Sequence, residues 1–215
     1  KFHLQHGLKD DQSGVSIVEF ALILPLFLGL GTMGVEIANM ASAKMQISQI
    51  ATSVADNASR LGQTDNSAAV QPINETDVDA VMFGALQQGA GLDFENNGRI
   101  VLSSLEQHPR KLQFIRWQRC AGDLDRESRY GNETNNNGLG GKRITGMGPT
   151  GREITAGANQ AVMFVEVYYT YQPIFGSMLT DGVEFRQEAA MLVRDDRDLD
   201  GGGDGLAGAA TSTCD

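Results

Sequence analysis

From Val15 to Val35 the chain runs for 21 residues with a single charge, Glu19. A helix of that length rises about 30 Å, the thickness of a bilayer's hydrocarbon core. A carboxylate inside such a run is costly in lipid, so it points to a partner for that charge. Pro25 removes one backbone donor and predicts a kink or a weakened hydrogen bond in mid-helix. Gly29, Gly31 and Gly34 spell G-x-G-x-x-G. That pattern binds a dinucleotide only where it follows a strand and opens a helix. Here it lies within the apolar run, where glycines permit close helix approach or local bending.

The helical pattern continues past the run. Met40, Ile47, Val54 and Leu61 recur every seven residues, and Ala43 and Ile50 fall three after the first two. This amphipathic stripe extends the predicted helix from Val15 to Leu61, about 70 Å at 1.5 Å per residue. Its first half suits lipid. Its second half suits packing on the rest of the chain or on a partner helix, the same chain being the simpler choice. Gly62 provides a stop.

The remainder, roughly 150 residues, suffices for one domain. Residues 62–74 are polar and read as a connector. Thr76 to Gln88 reads as a second helix, with Thr76 and Asp79 as a capping pair and Val78, Val81, Met82 and Ala85 on one face. The period then shortens. Arg99 to Leu105 and Leu112 to Cys120 read as strands. In the latter, Leu112, Phe114 and Arg116 face one way, and Gln113, Ile115 and Trp117 the other. The residues numbered 121–159 are rich in Gly, Asn, Asp and Ser and read as long loops. Val162 to Tyr171 and Val183 to Val193 alternate cleanly and are expected to pair antiparallel across the turn near Pro173 and Gly176. The fold class is α+β: a long N-terminal transmembrane helix continuing into a soluble domain with a small antiparallel sheet. The boundaries are a leader at 1–14, the helix at 15–61, the α+β domain at 62–194 and an acidic, Gly-rich tail at 195–215.

A net charge of −10 and a pI near 4.7 argue against nucleic-acid binding. One tryptophan in the chain gives no platform for stacking bases. The two cysteines, Cys120 and Cys214, both follow the apolar run. In an exported domain they read as a disulfide tying the C-terminus to mid-domain, with two separate thiols as the other reading.

Asp196, Asp198, Asp200 and Asp204 follow the opening of a calcium loop, with Gly201 at its sixth position. The twelfth position is Ala207, where a bidentate glutamate belongs, and a solvated acidic linker is the alternative. No other cofactor is indicated. The stretch Gly138 to Arg143 echoes a phosphate loop but lacks its first glycine and its Ser or Thr. The histidines and cysteines have no zinc spacing. No serine or cysteine stands in a recognisable setting for nucleophilic catalysis, so the chain reads as a non-enzyme. Asn74-Glu-Thr76 and Asn132-Glu-Thr134 match glycosylation sequons without further support.

Gly14 followed by Val15, with Glu19 at the fifth position after the glycine, has the form of a prepilin processing site. Cleavage between Gly14 and Val15 would remove the polar leader and free an amine at Val15. Glu19 can neutralise that amine on its own chain or on a neighbour, which sets register between packed helices. The stretch Gly14-Val-Ser-Ile-Val-Glu19-Phe20-Ala-Leu-Ile-Leu-Pro25 resembles the TadE-like family, membrane pseudopilins of the tight-adherence pilus system. The stretches Arg116 to Cys120, Gly146 to Pro149, Ala161 to Pro173 and Arg194 to Arg197 are similar to soluble-domain patterns of that family. The resemblance covers most of the chain and is most specific at its N-terminal part.

The resemblance implies a minor pilin-like component that helps assemble or start a thin pilus used in surface attachment. Its implied partners are a prepilin peptidase, other pseudopilins and pilin subunits, and the inner-membrane assembly platform. Its implied place is the bacterial inner membrane, single-pass, with the C-terminal domain in the periplasm, or in the pilus at the cell surface. Gly14 would close the leader, Val15 would open the mature chain, and Glu19 beside Phe20 would set helix register. Two departures stand out: the leader has no basic cluster next to Gly14, and the soluble domain is larger than in short members. The alternative is a membrane-tethered periplasmic binding or adhesion domain that stays out of filaments.

Overall fold

The structure, a computed structural model, describes residues 13–62, 73–176, 182–193 and 206–214. Its elements in chain order are α1 (Ser13–Ser59), β1 (Ile73–Asn74), α2 (Glu75–Gln88), a 3₁₀ turn (Ala90–Leu92), α3 (Phe94–Asn97), β2 (Gly98–Gln107), β3 (Gln113–Ala121), β4 (Ala161–Thr170), β5 (Glu184–Leu192) and β6 (Leu206–Ala207). Four strands form an antiparallel sheet in the order β3-β2-β4-β5. The expected pairing of the last two long strands is present, with Val165 opposite Ala189.

The single helix α1 passes through Pro25 without interruption. Its C-terminal half buries Ala43, Ile47, Ile50, Ala51, Val54, Ala55 and Ala58, with Met40 and Leu61 partly covered at the ends. These residues recur at helical spacing and form the stripe that lies on β4, β5 and α2. The facing strands contribute Met163, Val165, Val167 and Tyr169 from β4, and Phe185 and Val193 from β5 and the residue just beyond it. From α2 come Val78, Met82 and Ala85, with Val81 partly buried. The stripe therefore packs within its own chain.

The opposite face of the sheet is covered by the long loop region between β3 and β4. Ile144, Met147 and Ala156 pack there against Leu105, Ile115, Val162 and Phe164. Short bridges pin the loop, Gln113 with Ile144 and Met147 with Ile154. The side chain of Gln113 also donates to the Ala156 carbonyl and accepts from the Ala156 N–H. A stretch rich in turn residues thus supplies the second layer of the core.

Two local expectations are corrected. Ile115 and Trp117 do not share a face: Ile115 lies in the loop-side core and Trp117 in the helix-side core. The cause is a register shift between Ser104 and Leu105, where Trp117 and Ile115 pair with consecutive residues of β2 and Arg116 is the extra residue. A bulge of this kind breaks the two-residue alternation. The Thr76–Asp79 capping pair is also absent. Asn74 occupies the position before the helix, which puts Thr76 inside the first turn. Asp79 instead accepts hydrogen bonds from the hydroxyls of Thr211 and Ser212.

Candidate functional site

The sheet and α2 cover only the C-terminal half of α1. From Gly14 to Val35 every residue is exposed, including Ile17, Phe20, Leu22, Leu26, Phe27 and Leu30. The helix is long and apolar enough to cross a membrane by length and composition. A continuous apolar surface of this extent marks a membrane or a partner surface. Gly29, Gly31 and Gly34 lie on it with open space where a Cβ would project, so larger side chains are not excluded by this chain itself.

The residues Gly14, Val15, Glu19 and Phe20 fall in the first turns of α1, all exposed. Val15 and Glu19 are four residues apart and therefore lie on the same helix face, one turn apart. Among the described residues, none forms an ion pair or hydrogen bond with the exposed Glu19 side chain.

The exposed and buried halves of α1 meet at Glu36, which is buried, immediately after Val35. Its carboxylate accepts from the Tyr171 hydroxyl at 2.6 Å and from the backbone N–H groups of Ile174 and Phe175, each at 3.1 Å. Asn39, one turn on, donates its side-chain amide to the same hydroxyl at 2.7 Å. Burial, followed by the hydrogen bond to Glu36, raises the Tyr171 pKa. This junction locks the chain after β4 to the point where α1 enters the domain. The sequence offers one sign of it, a charge placed directly at the end of an apolar run. The partner lies 135 positions away, too far for any spacing rule to find.

Two further charge clusters hold the domain together. Arg119 of β3 is buried and pairs with Glu75 at the start of α2, and also with Glu133 of the long loop at 3.0 Å. On the loop side of the sheet, the fully buried Glu166 accepts from the Tyr168 hydroxyl at 2.8 Å, from Ser128 and from Arg186 at 3.3 Å. Arg186 also pairs with Glu188, which accepts from the Tyr130 hydroxyl at 2.7 Å. Because each buried charge is paired, these clusters act as structural joints.

Cys120 and Cys214 form a disulfide across 94 residues. The end of the chain is fixed beside it. The Cys120 N–H donates to the Ser212 carbonyl at 2.7 Å, and β6 runs parallel to β1. Asp196, Asp198, Asp200 and Asp204 lie outside the described residues, as does the leader before Ser13.

Residues 14–60 match the family model of the TadE-like protein family. The match spans α1 almost end to end and stops where the helix stops. The stretches at 116–120, 146–149 and 161–173 lie beyond it. Their residues have local duties in the fold: Arg116 forms the bulge, Trp117 fills the core, Arg119 pairs with Glu75 and Cys120 closes the disulfide. No curated protein and no solved structure matches the chain.

Proposed function

We propose that this chain, whose residues 14–60 match the TadE-like family, is a minor pilin-like subunit acting in assembly or initiation of a tight-adherence pilus. The family match at residues 14–60 supports the coarser reading, a component associated with that pilus system with a structural role. The observation that carries the finer reading is the division of α1 at Glu36. One half is the core of a folded domain. The other is an exposed apolar rod bearing one acid.

In this reading the rod crosses the inner membrane once and the domain lies in the periplasm. A prepilin peptidase cuts between Gly14 and Val15. The rod stays in the bilayer until other apolar rods replace lipid around it, as pilin and pseudopilin subunits are gathered by the inner-membrane assembly platform. Exchange of lipid for protein is close to neutral in hydrophobic terms, so packing and charge pairing decide it. Glu19 sets register by meeting the amine at Val15, its own or a neighbour's. A misplaced register leaves both charges unpaired in an apolar layer, which is strongly unfavourable. The domain, at the other end of the rod, presents its surface to partners. The calcium loop at residues 196–207 remains a subsidiary proposal that calcium titration of the full chain would test.

The test is Glu19→Ala in the producing cell. The protein is expected to stay in the membrane at normal abundance while piliation and surface attachment fall sharply. Normal piliation would overturn the assembly role and favour the tethered binding domain.

A further inference from the structure

We infer that Ile174 and Phe175 form a second membrane contact, a short foot of the domain that inserts into the interfacial layer of the bilayer beside α1. The inference rests on the reading of Val15 to Val35 as the membrane span. It adds a surface that neither the family match nor the apolar run contains.

The argument is one of position. If 21 residues of helix fill about 30 Å of hydrocarbon, then Glu36 lies at the boundary with the headgroups. The Ile174 and Phe175 N–H groups each lie 3.1 Å from the Glu36 carboxylate. The loop's height is therefore fixed to within a few ångströms of the same boundary, on the order of one hydrogen bond's reach. Its two large apolar side chains are more than half exposed, at 56% and 55%. Exposed apolar residues are ordinary on a soluble surface. A pair held level with the end of a membrane span stands where the bilayer's interfacial layer begins.

The polar chemistry fits that layer. A loop entering lipid must satisfy its backbone donors internally. Here the two N–H groups of the foot are taken up by Glu36, and the carboxylate has the Tyr171 hydroxyl as a third donor. The acid is thus stabilised where water is scarce, and the donors it covers are those of the residues that enter. Pro173, just before the foot, limits the backbone freedom lost on insertion. Three attachments to one carboxylate would hold the domain at a fixed angle to the bilayer. Extraction of the rod would then also withdraw the foot.

The experiment uses the full, disulfide-closed chain in phosphatidylcholine vesicles, with and without lipid brominated near the glycerol end of its acyl chains. Phe175→Trp is compared with Phe83→Trp, an exposed site on α2. The native Trp117 is buried in the domain and sets a common background. The expected result is emission from Phe175→Trp that the brominated lipid quenches several-fold more than that of Phe83→Trp. A chain that does not float with the vesicles overturns the membrane span, and the foot with it. A chain that floats while Phe175→Trp is quenched no more than Phe83→Trp overturns the foot alone. Blue-shifted emission that brominated lipid leaves unquenched means that a second copy of the chain covers Phe175, and also overturns it.

Discussion

The carboxylate of Glu36 accepts the hydroxyl hydrogen of Tyr171 at 2.6 Å, across 135 positions of sequence. This one bond joins the end of the apolar run to the end of β4. It divides α1 into a segment outside the domain and a segment that is the domain's core. If the junction is a rigid joint, Glu36→Ala should release the loop after β4 without unfolding the sheet. Backbone amide exchange at Ile174 and Phe175 should speed up by roughly an order of magnitude or more, while exchange within β2 and β4 stays unchanged. Exchange that accelerates everywhere would show that Glu36 instead supports the whole fold.

The buried pair of Arg119 and Glu75 makes a second prediction. Replacing Arg119 by Met leaves Glu75 buried without its main partner, and the cost should be about 3–5 kcal/mol in denaturant unfolding. Adding Glu75→Leu should recover most of that loss, because removing both charges removes the unpaired one. A double variant as unstable as the single one would mean that Arg119 matters through Glu133 or through its packed stem.

The disulfide makes a third. Cys214→Ser should destabilise the domain by about 2–4 kcal/mol, since the closed loop is long. Because Ser212 is held next to Cys120, and β6 otherwise has β1 as its strand partner, the variant should also expose the segment after residue 205 to protease while the sheet survives. Equal protease resistance in both proteins would show that β6 and the Asp79 contacts hold the end unaided.

A fourth concerns alkaline pH. All four tyrosines of the chain, at 130, 168, 169 and 171, have their pKa raised, in each case first by burial. Carboxylates add to this at Tyr130 through Glu188, at Tyr168 through Glu166 and at Tyr171 through Glu36. A raised folded pKa means that the neutral phenol is favoured by folding. The stabilisation is complete below the ordinary value near 10 and is lost as pH rises through the folded values. Phenolate absorbance should therefore stay low at pH 10 and rise together with loss of structure above it. Smooth titration near pH 10 in a folded protein would contradict the burial of these hydroxyls.

The sequence was most legible where one period dominates. The stripe from Met40 to Leu61, the α2 face and the pairing of β4 with β5 all follow from spacing, because burial on one face imposes that spacing. What the sequence hid falls into three kinds. The bulge at Arg116 breaks alternation without a glycine to mark it. The long loop became a core layer through Ile144, Met147 and Ala156, three residues scattered among turn formers. The Glu36 and Arg119 clusters join residues far apart in sequence, and no local pattern encodes such a partner. At the N-terminal candidate site a lone acid in an apolar run is chemically conspicuous, and Glu19 stands exposed on α1.

The central claim is that Glu19 meets an amine freed at Val15. The most direct measurement is N-terminal sequencing, with intact mass, of the protein isolated from its producing cell. The account predicts a mature chain that begins at Val15, with the disulfide closed. A chain that retains Gly14 and the polar residues before it would contradict the account.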